Sequence, residues 1–252
     1  MNEKSENRKA LPKFTLSLLG SLLVGGVIGF AVGLSRAMGL DTAALAEGLS
    51  AALAAVTPWG IPVTSALTLG SCLVLYRSAA RKFAVWDGGD EDETSESIDT
   101  ALSWVLLLSA VQLLFNLFFL SAFCIYWMDR DIRALALVGV FLLSCGFVIF
   151  AQQKAVDLTR RMNPEKRGSV YDTKFQKKWM DSCDESERRQ VGQACCRAYM
   201  VSSRFCLGLW LALAILSMVF EVSILPTLVL LLVWGVMQVT YSLECIRLGK
   251  RN

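Results

Sequence analysis

The sequence predicts an all-α, polytopic membrane protein with six transmembrane helices, both termini in the cytosol and two cytosolic connectors. Three observations carry this expectation. The chain is 54% hydrophobic with a mean hydropathy of +0.49, too apolar for an ordinary soluble domain. Its apolar residues fall into blocks close to the ~20 residues a helix needs to cross a bilayer. The basic residues also sort by side. With six spans, 22 of the 25 Lys and Arg residues lie on the side of the termini, leaving Arg36, Arg130 and Arg133 opposite. A basic excess marks the cytosolic face.

In chain order, Lys4, Arg8, Lys9 and Lys13 precede an apolar run over about 14–35. The run is too long for a signal-peptide core, and Arg36-Ala37-Met38 offers no small-x-small cleavage site, so it reads as the first span. Ser17, Ser21, Gly25, Gly29 and Gly33 recur every four residues and line one face with small side chains. Either another helix of the same chain or a second copy, in a homodimer seam, can approach such a face closely.

Residues 36–56 form an Ala-rich linker in which Asp41 is placed to cap a short surface helix. Thr57-Pro58-Trp59 opens the second span, about 57–76, with proline in its first turn and Trp59 at the interface. The connector 77–100 then changes from basic (Arg77, Arg81, Lys82) to acidic, with seven carboxylates from Asp87 to Asp99. The third span, about 101–125, carries Gln112 and Asn116 four residues apart and hence on one face. A charged turn leads to the fourth span, about 134–151. The fifth covers about 205–220, and Pro226 opens the sixth, about 226–244.

The polar block 152–204 holds 12 of the 25 basic residues. The fourth helix is expected to continue to Met162, where Asn163-Pro164 breaks it, because the residue before proline avoids helical dihedrals. Gly168 marks a turn, and Asp172 caps a short helix through Phe175, Trp179 and Met180. Ser182 with Glu185 three residues later fits a capping box, from which a helix runs through Tyr199 into the fifth span.

The two connectors echo each other. Arg81-Lys82 precedes Trp86, Asp87 and Asp90; Lys177-Lys178 precedes Trp179, Asp181, Asp184 and Glu185. The echo is either a degenerate internal repeat or the separate outcome of interfacial tryptophans and acidic helix starts. The runs Asn163-Pro164-Glu165-Lys166-Arg167-Gly168-Ser169-Val170-Tyr171, Lys174-Phe175-Gln176-Lys177-Lys178-Trp179 and Ser182-Cys183-Asp184-Glu185, with Trp86-Asp87-Gly88, resemble a domain-of-unknown-function family of Gram-positive bacterial membrane proteins. The resemblance implies membrane location and topology over essentially the whole chain. It brings no activity, cofactor or catalytic residue. Members of that family often sit beside small helix-turn-helix regulators, which implies a regulated membrane function.

The chemistry points away from catalysis. There is no histidine, the commonest general base and metal ligand, and no P-loop, Gly-x-Ser-x-Gly or dinucleotide fingerprint. The eight cysteines are expected to be reduced, buried packing residues rather than a disulfide framework. The acidic run 87–99 either binds a divalent cation or is a solvated loop; it lacks the calcium-loop pattern. An intramembrane enzyme using Cys183 with Asp184 is the weakest class. The expectation is a non-catalytic structural, regulatory or accessory protein of the inner membrane, without cofactor or metal. Its partners would be the bilayer, a second copy, or a cytosolic or membrane protein, and not nucleic acid. The alternative is a small solute or ion transporter whose path passes Gln112 and Asn116, since polar groups within a membrane need partners and often mark function.

Overall fold

A computed structural model describes residues 42–86, 93–127, 133–220 and 223–249, with scattered positions before residue 42. Its described residues form six helices and no strand: α1 Thr42–Val85, α2 Glu93–Tyr126, α3 Arg133–Met162, α4 Phe175–Asp181, α5 Glu185–Phe220 and α6 Leu225–Gly249. All but α4 are long and apolar enough to cross a membrane. Of the expected first span only scattered positions are described, and its small-residue face (Ser17, Ser21, Gly25, Gly29, Gly33) lies outside the described residues. So do the acids Asp87–Asp92. The chain divides into two compact units, one of residues 48–192 and one of residues 1–47 with 193–252.

In the first unit, α1, α2 and α3 run alternately up and down, and their buried residues keep a spacing of three and four. On α2 the series is Ile98, Leu102, Val105, Ser109, Gln112, Asn116, Phe119 and Phe123, with Ala122 buried beside it. On α3 the series is Phe141, Ser144, Val148, Ala151, Ala155, Leu158 and Met162, with Phe141 and Ala151 half-buried and Gln153 and Val156 buried beside it. A mean spacing of 3.5 residues keeps one seam facing a neighbour along the whole helix, as in a coiled coil. The apolar core of the seam joins Cys72 and Ala79 of α1, Ile98, Leu102 and Val105 of α2, and Ala155, Leu158 and Met162 of α3.

Outside that seam the helices are apolar but uncovered: Leu67, Val74, Leu114, Leu142 and Leu143 are each more than half exposed. A water-soluble monomer does not leave apolar surface of this extent open, whereas in a bilayer these groups meet acyl chains. In the second unit, Tyr199 of α5 stacks on Tyr241 of α6 with ring centroids 4.5 Å apart, and its hydroxyl bonds Gln238 Oε1. No residue of α6 is buried.

The observed α1 corrects one boundary. Rather than a linker followed by a span opening at Thr57, a single 44-residue helix passes through Pro58 and Pro62. At 1.5 Å per residue it is ~66 Å long, about twice the hydrocarbon thickness. Pro58 has no N–H to give to the Ala54 carbonyl, which normally costs a helix ~3 kcal/mol. Here Trp127, just past α2, donates its indole N–H to Ala54 O at 3.0 Å and satisfies that carbonyl from outside. Two residues after Pro58, Gly60 leaves room for the Phe119 ring; a Cβ there would lie 2.2 Å from it.

The cysteines correct a second expectation. All eight are free, but only Cys72, Cys183 and Cys206 are buried; Cys124, Cys195, Cys196 and Cys245 are exposed.

Candidate functional site

Two polar constellations stand out, both within residues 48–192. The first lies inside the helical bundle. Gln112 and Asn116 are fully buried in the α2 seam. Gln112 Nε2 contacts Asn116 Oδ1 at 2.8 Å, Ser65 Oγ at 3.0 Å and Thr64 Oγ1 at 3.2 Å. Asn116 Nδ2 donates to Ser144 Oγ at 2.8 Å and approaches Cys145 Sγ at 3.7 Å, while the Ser65 and Ser144 hydroxyls lie 2.7 Å apart. One amide group thus serves three acceptors with two protons. The carbonyl oxygen of Gln112 is buried and has no partner among the described residues. The network ties α1, α2 and α3 together where apolar contacts alone would give little orientation in lipid. The sequence exposes the two amides; Thr64, Ser65 and Ser144 are not distinguishable there from the small hydroxylic residues common in membrane helices.

The second constellation is the polar module that follows the apolar part of α3. α3 ends at Met162 where the Asn163-Pro164 break was expected. The Asn163 N–H still bonds Thr159 O at 2.9 Å, and its carbonyl accepts from Lys166 N at 3.1 Å, closing a turn through exposed Pro164. Gln153, one turn from the apolar core, holds the returning loop. Its Oε1 accepts from Val170 N at 2.8 Å and Ser169 Oγ at 3.0 Å, and its Nε2 donates to Asp157 at 2.7 Å. Gly168 has φ +132°, a conformation L side chains rarely adopt, and a Cβ there would also meet the Phe175 ring at 2.8 Å.

α4 forms as expected, with Phe175 and Trp179 packed one turn apart at 5.6 Å. Its N-cap is Lys174, not Asp172. Asp172 instead closes the preceding turn, accepting from Lys174 N at 2.9 Å and pairing with Lys178. The Lys178 bond, followed by the Lys174 N–H, holds the Asp172 carboxyl below its ordinary range.

The capping box is real but lies two residues later than expected. Glu187 N donates to Asp184 Oδ1 at 2.7 Å and Asp184 N to Glu187 Oε2 at 3.0 Å, so Asp184 caps α5 and Glu185 sits exposed in its first turn. Ser182 cannot serve because it already ends α4. Its hydroxyl bonds Trp179 O at 2.7 Å and accepts from Arg167 N at 3.1 Å.

Glu187 has a second role. It forms an ion pair with Lys166, whose side chain is only 4% exposed. Burial opposes the Lys166 charge, yet the hydrogen bond and charge of Glu187, aided by Cys183 and Glu165, hold its pKa above the usual lysine value. Neither residue announces itself in the sequence, where charged residues in a polar block read as solvated.

Between these parts lies an open cleft of about 790 Å³. Arg160 and Arg167 face it, as do Glu165 and Asp181. None of these four forms an ion pair within 4.0 Å among the described residues, where only Lys166–Glu187, Lys178–Asp172 and Arg247–Glu244 do. Of the residues singled out by sequence, the cleft therefore gathers Glu165 and Asp181. Trp179 and Asp184 build the scaffold around it. Trp86 is half-buried and packs against the three-helix core, 6.1 Å from Phe83. Asp87 and Asp90 fall outside the described residues. Among the described residues no cluster of three Cys, Asp or Glu side chains could hold a metal ion.

No curated protein and no solved structure matches the chain. A family model does, over residues 8–244, which takes in both constellations and every helix except the last few residues of α6. The chain belongs to the family described as protein of unknown function (DUF3169).

Proposed function

We propose that this is a non-catalytic accessory or regulatory protein of the bacterial inner membrane. It has six spans with both termini in the cytosol, and its module at 152–192 docks a protein partner there. A contrast in polar chemistry carries this reading. The hydroxyls and amides inside the bundle bond one another, whereas Arg160, Arg167, Glu165 and Asp181, around an open cleft, form no ion pair among the described residues. Charges of both signs on a rigid frame suit electrostatic recognition of another protein, where complementarity sets specificity and encounter rate. The distribution of Lys and Arg supports the orientation. The small-residue face at Ser17 to Gly33 supports self-association through the first span.

The test is photo-crosslinking in native membranes from a probe at Glu165 or Asp181. A discrete adduct that disappears in the Arg160→Glu/Arg167→Glu variant, with the fold retained, supports docking. An adduct insensitive to that reversal removes the cleft from the account.

One observation favours a second reading, a small transporter or channel: the Gln112 carbonyl oxygen is buried and has no partner among the described residues. A passing solute or ion could supply one. Liposome flux abolished by Gln112→Leu in a folded protein would establish transport and displace the accessory reading.

A further inference from the structure

A second concavity, of about 480 Å³, has a different character from the polar cleft. It runs between α1 and α3 over the stretches Leu69–Tyr76 and Phe147–Lys154, with Val105 of α2 as its floor. Each stretch advances ~10 Å along its helix. The walls are Leu69 and Leu73 on one side and Phe147 and Phe150 on the other. Gly70 opens the groove: a methyl group placed there meets no atom within 4 Å. The flanking Leu67, Val74 and Leu143 are exposed and apolar, so in a bilayer the groove opens toward acyl chains, not water.

Among the described residues only one charged group lines it. Lys154 lies at the end nearer the polar module, its ammonium 5.4 Å from the centre of the Phe150 ring. Among the described residues no carboxylate lies within 4.0 Å of that ammonium. Tyr76 brings a hydroxyl to the same end of the groove. An apolar trough closed at its polar end by a single cation matches an amphiphile with a hydrocarbon tail and an anionic head. Lysines near the ends of membrane helices reach the headgroup level in this way.

We propose that this groove is a specific lipid site. It holds one acyl chain of an anionic phospholipid against Gly70 and Val105, with the lipid phosphate on Lys154. The site is separate from the polar cleft and does not depend on a protein partner.

The experiment is native mass spectrometry of the full chain, released from detergent and titrated with phosphatidylglycerol or phosphatidylcholine. One lysine near an anionic headgroup gives a roughly fivefold preference for phosphatidylglycerol in the first bound lipid. Lys154→Gln is expected to abolish the preference, with the larger loss falling on phosphatidylglycerol, because the zwitterionic phosphatidylcholine headgroup gains less from the cation. Gly70→Leu, which fills the trough, is expected to weaken both lipids without lowering the lipid-free melting temperature. Equal binding of the two lipids by the unsubstituted protein overturns the proposal. So does a preference that survives Lys154→Gln, or lipid binding unchanged by Gly70→Leu. Lys154 lies at the protein surface, so its variant still decides the matter if Gly70→Leu misfolds.

Discussion

The indole N–H of Trp127 donates to the Ala54 carbonyl at 3.0 Å, the one backbone acceptor that Pro58 leaves without its helical partner. A residue just past the end of α2 thereby lets α1 continue through a proline. The two positions are 73 residues apart, so the continuity of α1 is a tertiary property.

Trp127→Phe removes the donor and leaves Ala54 O unsatisfied, with an expected loss of about 1–2 kcal/mol. Pro58→Ala restores the helical N–H. In that background Trp127→Phe should cost at least half a kcal/mol less, on the scale of coupling between contacting residues, about 0.5–3 kcal/mol. Unfolding of the four proteins in mixed micelles measures the coupling. Equal losses in both backgrounds would show that the indole does not replace the missing bond.

Asn116→Leu takes one partner each from the Ser144 hydroxyl and the Gln112 amide, which keep Ser65 and Thr64, and leaves an apolar group within the network; it is expected to cost about 1–2 kcal/mol. Gln112→Leu should cost less, because it also removes a buried carbonyl oxygen that has no partner among the described residues. The order of the two midpoints, again in micelles, is the readout.

The Lys166–Glu187 pair is asymmetric, with side chains 4% and 39% exposed. Glu187→Ala leaves a buried ammonium alone and removes the reciprocal half of the capping box, the Asp184 N–H bond to Glu187 Oε2. The expected loss is about 2 kcal/mol, below the value for fully buried pairs because water screens the Glu187 side. Lys166→Met leaves only a half-solvated carboxylate and should cost less than half as much. Hydrogen exchange across 163–190 should rise in the first variant and change little in the second.

Gly168→Ala forces a side chain into φ +132° and against Phe175. An expected cost of about 1–3 kcal/mol should appear as faster exchange at 166–175, with the membrane helices unaffected.

The module should also respond to pH in two separate windows. The folded pKa of Asp172 lies below its unfolded value of ~3.9, so its contribution is present above that value and is lost as pH falls through the folded pKa. Lys166 has a raised folded pKa, so its contribution is present below ~10.4 and is lost as pH rises through the folded value. Asp172→Asn should therefore remove acid sensitivity of exchange at 169–182 and leave the alkaline limb intact. An unchanged acid limb would reassign it to other carboxylates.

What was legible in the sequence followed from local chemistry. The α3 terminus at Asn163-Pro164 was readable because proline restricts its own predecessor. The α4 segment and the single shared face of Gln112 and Asn116 were readable because helical periodicity fixes them. Local rules misplaced the caps, since Ser182 with Glu185 and Asp184 with Glu187 satisfy the same pattern. Only the prior use of Ser182 to end α4 selects between them.

By itself the sequence determined that this is a helical chain with membrane-crossing apolar segments and a charged module between two of them. Apolar run length and backbone hydrogen bonding permit little else in a bilayer. The tertiary structure alone decided where polar groups find partners. Ala54 is satisfied by Trp127, Asn116 by Ser144, Lys166 by Glu187 and the 168–170 loop by Gln153. Each of these bonds joins separate elements or closes a loop, and its strength depends on excluding water or competing donors. A linear sequence carries the groups but not the burial that makes them matter.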